Sequence, residues 1–167
     1  MNTDKQDLFK KGIRGIWIIW GAMLFSLYLY VKICHMIEPT LKSILGADFH
    51  LDVLKIILYS VCGFILIFSY YFRNHLMKPQ SEKIEAKYFK RAAKTNSHPS
   101  IVKYGTAVIV SIAISESIGI VGFVLFLLSK DFPTLYILAG ISAAAMLYHR
   151  PKMIELDKIA SQMNNTQ

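Results

Sequence analysis

Long apolar runs alternate with short polar segments along this chain. Four runs carry no charged side chain except Glu116, and they lie at residues 15–31, 56–72, 104–129 and 132–148. About 20 apolar residues cross the hydrocarbon core of a bilayer as a helix, so each run is long enough, or nearly so, to span it. A water-soluble helix of this length has a polar face, and these runs have none. The pattern predicts an all-α polytopic membrane protein with four transmembrane helices.

The lengths of the polar segments predict how these helices are connected. We expect one membrane domain over residues 1–167, with four spans arranged as two hairpins. The spans are expected at about residues 13–34, 53–72, 104–129 and 132–149. An outer loop at 35–52 joins the first pair, and a cytoplasmic basic loop at 73–103 joins the second span to the third. Only Lys130 and Asp131 separate the last two spans, which must therefore form an antiparallel hairpin.

Lysine and arginine are distributed unevenly between the two sides of this arrangement. The chain has 19 Lys and Arg residues and a formal net charge of +8. Only four of the 19 lie on the side of the outer loop: Lys32, Lys42, Lys55 and Lys130. Because Lys and Arg mark the cytoplasmic side, we expect both termini in the cytoplasm. The charge then fits the inner membrane of a bacterium better than a nucleic-acid partner.

The middle loop contains a segment with the pattern of a basic amphipathic helix. Residues 82–94 are mostly good helix formers, and Ile84, Tyr88 and Ala92 recur every four residues. The basic residues around them are Lys83, Lys87, Lys90, Arg91 and Lys94. Such a helix lies on anionic lipid of the inner leaflet, with Ile84 and Tyr88 at the headgroup boundary. The alternative is a solvated helix that only enforces topology.

The third span carries a stripe of small residues. Its members, four residues apart and then one turn further on, are Ala107, Ser111, Ser115, Gly119 and Gly122. Small side chains let another helix approach closely. In the fourth span, Ala143 is expected at the depth of Gly119, and Gly140 at the depth of Gly122. We therefore expect this stripe to pack against the fourth span or against a partner.

Glu116 lies at the middle of the third span, near the centre of the bilayer. An acid there costs about 2.5–3.5 kcal/mol on insertion scales, and no Lys or Arg lies at a comparable depth in any span. We expect a protonated side chain that hydrogen-bonds a neighbouring helix. Candidate donors are Ser26, Tyr59, Ser60, Ser115 and Ser117. Two roles remain open, a structural one in helix assembly and a functional one in ion or proton handling.

Residues 115–128 read SESIGIVGFVLFLL, an acid followed by small and aliphatic residues. This order resembles the carboxylate helix of the rotor-ring subunit, c or K, of rotary ATP synthases. The resemblance implies that Glu116 is an ion-carrying carboxylate. It covers this one helix, and where the family has a glycine-rich companion helix the second span here has Gly63 alone.

Motifs that would indicate catalysis are missing from the sequence. It contains no G-x-S-x-G, P-loop or zinc motif, and its five His residues lie at span ends or in loops. We expect no enzyme activity, no metal and no cofactor. The favoured function is an accessory or assembly subunit that packs through the small-residue stripe, with a membrane-protein partner or in a homo-oligomer. The alternative is an ion- or proton-translocating subunit that uses Glu116.

Overall fold

The computed structural model describes residues 3–41, 51–78, 82–94 and 97–164, and these residues form helices and no strand. The helices are α1 (Thr3–Ile37), α2 (Leu51–Met77), α3 (Glu82–Lys94), α4 (Pro99–Ser129), α5 (Phe132–Tyr148) and α6 (Met153–Asn164). Three of them, α1, α2 and α4, are long and apolar enough to cross a membrane. A fourth span is obtained if α5 and α6, bent by 50°, count together. The all-helical prediction with several membrane-capable helices is confirmed. Most of the predicted outer loop, at residues 42–50, lies outside the described residues.

Helix α4 is the centre of the bundle, and all the other helices pack against it. Its apolar side chains surround the whole helix, which is the pattern of a helix enclosed by others. The expected hairpin of the first two spans is not formed, because α1 and α2 pack on different sides of α4 rather than on each other. The small residues of α4 explain this difference, since Gly119 admits Leu27 of α1 and Ser111 lies beside Ser69 of α2.

Helices α4 and α5 form the predicted antiparallel hairpin. Lys130 has a φ of 58°, and its N–H donates to the carbonyl of Phe126 at 2.7 Å, which ends α4. Asp131 then accepts a hydrogen bond from Thr134 Oγ1 at 2.7 Å and pairs with Lys55 Nζ of α2 at 2.6 Å. The turn therefore fixes both the start of α5 and the near end of α2.

The register between α4 and α5 differs from the predicted one. A Cβ added at Gly122 would lie 2.9 Å from Leu138 Cβ, whereas one added at Gly140 would meet no atom within 4 Å. The buried stripe of α5 consists of Leu135, Leu138, Ser142 and Met146. The contacts of Gly122 with Leu138 and of Gly119 with Ser142 lie within one turn of the predicted ones. The depth of a residue along α5 does not, however, determine which face of this helix points toward α4. Gly140 lies on the exposed face.

The C-terminal segment forms helix α6, which packs on α4. The buried residues of α6 are Leu156, Ile159, Ala160 and Met163. They join the largest hydrophobic cluster, together with Tyr104 and Val108 of α4 and Phe9 of α1. Their spacing of three and four residues is the pattern of an amphipathic helix, so the sequence contained this signal.

The chain ends and the middle segment meet at one end of the bundle. The rings of Phe9 near the N-terminus and His98 before α4 are 5.4 Å apart. Arg73 near the end of α2 contacts His149 after α5 at 2.8 Å. Both chain ends and the middle segment therefore lie at the same end of the bundle.

Candidate functional site

Glu116 of α4 faces α1, where two hydroxyl groups contact the same carboxyl oxygen. Ser26 Oγ forms a short hydrogen bond with Glu116 Oε1, and Tyr30 OH lies 3.1 Å from the same atom. Ser26 and Tyr30 are four residues apart, so their side chains lie on one face of α1. Among the described residues Glu116 forms no ion pair, and its Oε2 has no hydrogen-bond partner.

The hydrogen atoms at this site can be arranged for either state of the acid. Ser26 Oγ also lies 2.6 Å from the carbonyl oxygen of Met23, and a hydroxyl has one proton to donate. If Glu116 is ionised, Ser26 and Tyr30 both donate to Oε1. If Glu116 is protonated, it donates to Ser26 Oγ, which donates to Met23. Neither state leaves the two hydroxyl groups without partners.

The other hydroxyl groups that were candidate partners bond elsewhere. Ser115 donates to the carbonyl of Ser111 at 2.9 Å, and Ser117 donates to that of Ile114 at 2.7 Å. In α2, Ser60 donates to the carbonyl of Ile56, and Tyr59 donates to Thr134 Oγ1. Among the predicted donors, Ser26 is thus the one that contacts Glu116.

Tyr30 was not among the predicted donors, because it lies near the far end of the first apolar run rather than at its middle. The four-residue spacing from Ser26 was the available signal. The ring of Tyr30 also packs against Phe123, with 5.4 Å between centroids. A Cβ added at Gly119 would collide with Leu27, so this glycine lets α1 approach α4. Together these contacts hold α1 along the Glu116 side of α4.

The small-residue stripe of α4 lies inside the protein. Ala107, Ser111, Ser115, Gly119 and Gly122 are all buried. Ser142 Oγ of α5 donates to the carbonyl of Ser115 at 2.8 Å, and Ser69 Oγ of α2 lies 3.4 Å from that of Ser111. Ala143 is partly buried and packs on the largest cluster. Because α1, α2 and α5 of the same chain cover this stripe, it offers no free face to a partner.

The basic helix α3 has the predicted bounds, but part of its apolar face is covered by protein. Tyr88 and Ala92 are buried where α3 packs on α4, so Tyr88 does not reach the headgroup boundary. Ile84 and Phe89 are exposed. The exposed cations of this helix are Lys87, Lys90, Arg91 and Lys94. Lys83 lies in α3, and its side chain is outside the described part.

A second polar cluster joins the ends of α2, α5 and α6. Arg73 is 6% exposed, and its guanidinium contacts His149 Nδ1 at 2.8 Å and Glu155 Oε2 at 2.5 Å. Because a guanidinium only donates, Nδ1 accepts and Nε2 carries the ring proton. Nε2 then donates to Ser69 Oγ at 3.1 Å. Arg73 is thus enclosed by His149 and Glu155, which are distant from it in sequence.

The protein has no recognised relative in three comparisons. Searches against protein-family models, curated proteins and solved structures give no match to this chain. The resemblance of residues 115–128 to a rotor-ring helix therefore rests on the sequence of these residues alone. The function is therefore inferred from the contacts between this chain's own residues.

Proposed function

We propose that this protein is an integral membrane protein without catalytic activity, which serves as an accessory or assembly subunit. One observation carries the proposal: the central helix α4 has a face that none of the other described helices covers. Ala113, Ile120 and Val124 are exposed on it, and their spacing places them on one side of the helix. We call these three residues the open face.

The position of the open face follows from the contacts of α4. Helix α5 contacts α4 at Ser115 and Gly122, and α1 contacts it at Glu116. Helix α2 contacts it at Ile118 through Cys62. With 100° between successive residues, the open face points away from α5 and lies between α1 and α2. A single helix of a partner is the element that fits between two flanking helices.

The chemistry at the edge of the open face favours a protein partner over lipid. Glu116 borders this face, is partly exposed, and has one carboxyl oxygen without a partner among the described residues. A polar group that faces hydrocarbon is costly, and hydrogen bonds between helices are a means of satisfying it. The occupant is therefore a transmembrane helix that presents a hydrogen-bonding side chain at the depth of Glu116.

Native gel electrophoresis in mild detergent tests this function. The wild-type chain of 19.0 kDa is expected to migrate in a larger complex. Ala113→Trp fills the open face and should release the chain from that complex. Ile137→Trp is the matched control, since Ile137 is 50% exposed on α5, and it should leave the complex intact. A wild-type chain that migrates as a monomer would contradict the proposal.

Ion or proton handling by Glu116 is the second candidate function. It is favoured by the hydrogen-bond arrangement, which accommodates both the ionised and the protonated acid when the hydroxyl hydrogen of Ser26 turns between Glu116 and the carbonyl of Met23. In reconstituted vesicles Glu116→Gln should abolish ion or proton flux, and a carbodiimide should modify the wild-type acid. Equal flux in wild type and Glu116→Gln would exclude this function.

The proposal includes an orientation with both termini in the cytoplasm of a bacterium and α3 on the inner leaflet. Its support is the meeting of both chain ends with the middle segment at one end of the bundle. The exposed cations and exposed Ile84 and Phe89 of α3 suit a surface of anionic lipid.

A further inference from the structure

A cavity of about 900 Å³ lies between the C-terminal end of α2 and helix α6. Its walls include Tyr71 and His75 from α2, Lys78 just after this helix, and Glu155, Lys158 and Ile159 from α6. The cavity is separate from the open face of α4 and from Glu116. Its volume is in the range of small-molecule sites in proteins.

The charge of this cavity is positive. Glu155 is the one acid among its lining residues, and its carboxylate is neutralised by Arg73 at 2.5 Å, with Lys152 at 3.9 Å. Lys78 and Lys158 are exposed and form no ion pair with any described residue. Two ammonium groups thus remain to bind an anion.

An apolar track on α2 continues from the cavity toward the middle of the helix. Phe64, Phe68, Tyr71 and His75 follow one another at spacings of three and four residues along α2, and so share one face. Lys78 follows directly after the last residue of the helix, Met77. Phe64 and Phe68 are 69% and 47% exposed, and their rings stack at 6.5 Å. The face therefore changes from apolar to aromatic to cationic along its length. This is the order of acyl chain, interface and headgroup in a phospholipid leaflet.

We propose that this cavity binds one anionic phospholipid of the leaflet on the side of the chain termini. The lipid phosphate lies between Lys78 and Lys158, and an acyl chain lies along Phe64 and Phe68. Ile159 and Tyr71 line the transition between headgroup and chain. The inference does not depend on the proposed partner helix, because the two sites share no residue.

Native mass spectrometry of the whole purified chain in a zwitterionic detergent tests this site. The probes are phosphatidylglycerol, phosphatidylcholine and inorganic phosphate. The expected result is one tightly bound phosphatidylglycerol, with phosphatidylcholine binding at least about tenfold more weakly. Lys78→Ala with Lys158→Ala should weaken phosphatidylglycerol binding about thirtyfold, since each Lys near an anionic headgroup contributes roughly a factor of five.

Matched variants separate this cavity from a general basic surface. Lys10→Ala with Lys11→Ala removes the same charge from exposed positions on α1, outside the cavity, and should leave the bound lipid in place. Phe64→Ala with Phe68→Ala should weaken binding of the lipid. Equal binding of the two lipids, or an equal loss in the α1 variant, would overturn the proposal. Binding of inorganic phosphate as tight as that of the lipid would overturn the lipid as the ligand.

Discussion

Glu116 joins α1 to α4 through two hydroxyl groups that lie one turn apart on α1. In the membrane setting that we propose for α4, a bond of this kind has few competitors, because no water is present to replace it. Gly122 contributes in a different way, since the absence of a side chain brings α4 against Leu138 of α5. The polar contact of Glu116 thus holds α1 on α4, and the close apolar contact at Gly122 holds α5 on the same helix.

Substitution of Glu116 should separate hydrogen bonding from charge. Glu116→Gln keeps a donor and an acceptor in the same shape, so the free energy of unfolding should be nearly unchanged. Glu116→Leu removes the bonds to Ser26 and Tyr30 and should lower it by about 0.6–2 kcal/mol. Denaturant titration in mixed micelles measures both. If the Gln variant is as unstable as the Leu variant, the ionised carboxylate and not its shape stabilises the fold.

Two glycines provide a matched pair for packing. In Gly122→Ala the new Cβ lies 2.9 Å from Leu138 Cβ, so α4 and α5 must separate, at a cost of about 1–3 kcal/mol. Gly140→Ala introduces the same group where nothing lies within 4 Å, and should be neutral or stabilising by up to about 1 kcal/mol. Thermal unfolding in detergent compares the two, and equal effects would contradict the described register.

At the scale of elements, the turn between α4 and α5 is held by polar contacts. Burial alone would raise the pKa of Asp131, but hydrogen bonds from Lys55 and Thr134 and the charge of Lys55 hold it below its ordinary value of 3.8. A carboxylate with a lowered pKa in the folded state stabilises the fold fully above its unfolded pKa. That stability is lost as the pH falls through the folded pKa.

Asp131→Asn tests this contribution of the turn. At pH 7 it should lower the free energy of unfolding by about 0–1 kcal/mol, because the pair with Lys55 is only partly buried. The difference from wild type should shrink at pH values well below 3.8, where the wild-type carboxyl is itself protonated. A difference that stays constant from pH 7 down to about pH 1 would show that the lost group acts through its shape and not through its charge.

The sequence predicted the positions of the helices better than it predicted which helices and side chains pack together. The apolar runs located α1, α2, α4 and α5, and the two-residue loop required the α4–α5 hairpin. The side of each helix that turns inward was not predictable in α4, because apolar residues surround it and no face stands out. Arg73 is a similar case, since its partners His149 and Glu155 follow it by 76 and 82 residues. Ser26 was found as a donor because its depth matches that of Glu116.

At the scale of the whole molecule, the described helices form an asymmetric bundle around α4. Three helices cover α4 on the sides of Glu116, Ser115 and Ile118, and the open face is left between α1 and α2. The polar cluster of Arg73, the helix α3 and the cavity beside α6 all lie at the end that holds both termini. The two ends of the bundle are therefore chemically different, as a membrane with two unlike sides requires.

Reporter fusions test the orientation of these ends. A reporter at either terminus or within α3 should be active in the cytoplasm, and one inserted at position 45 should be active outside. The distribution of Lys and Arg is the physical reason, since only four of 19 lie on the outer side. Cytoplasmic activity of the reporter at position 45 would reverse the assignment.

Site-specific photo-crosslinking in native membranes tests the central claim, that the open face of α4 holds a partner helix, most directly. A photoreactive residue at Ile120 or Val124 should give one protein adduct of defined mass. The adduct should persist in Glu116→Gln and weaken in Glu116→Leu. The same residue at Ile137, on the far side of α5, should give lipid adducts only. If positions 120 and 124 also give only lipid adducts, lipid covers the open face and the assembly role is excluded.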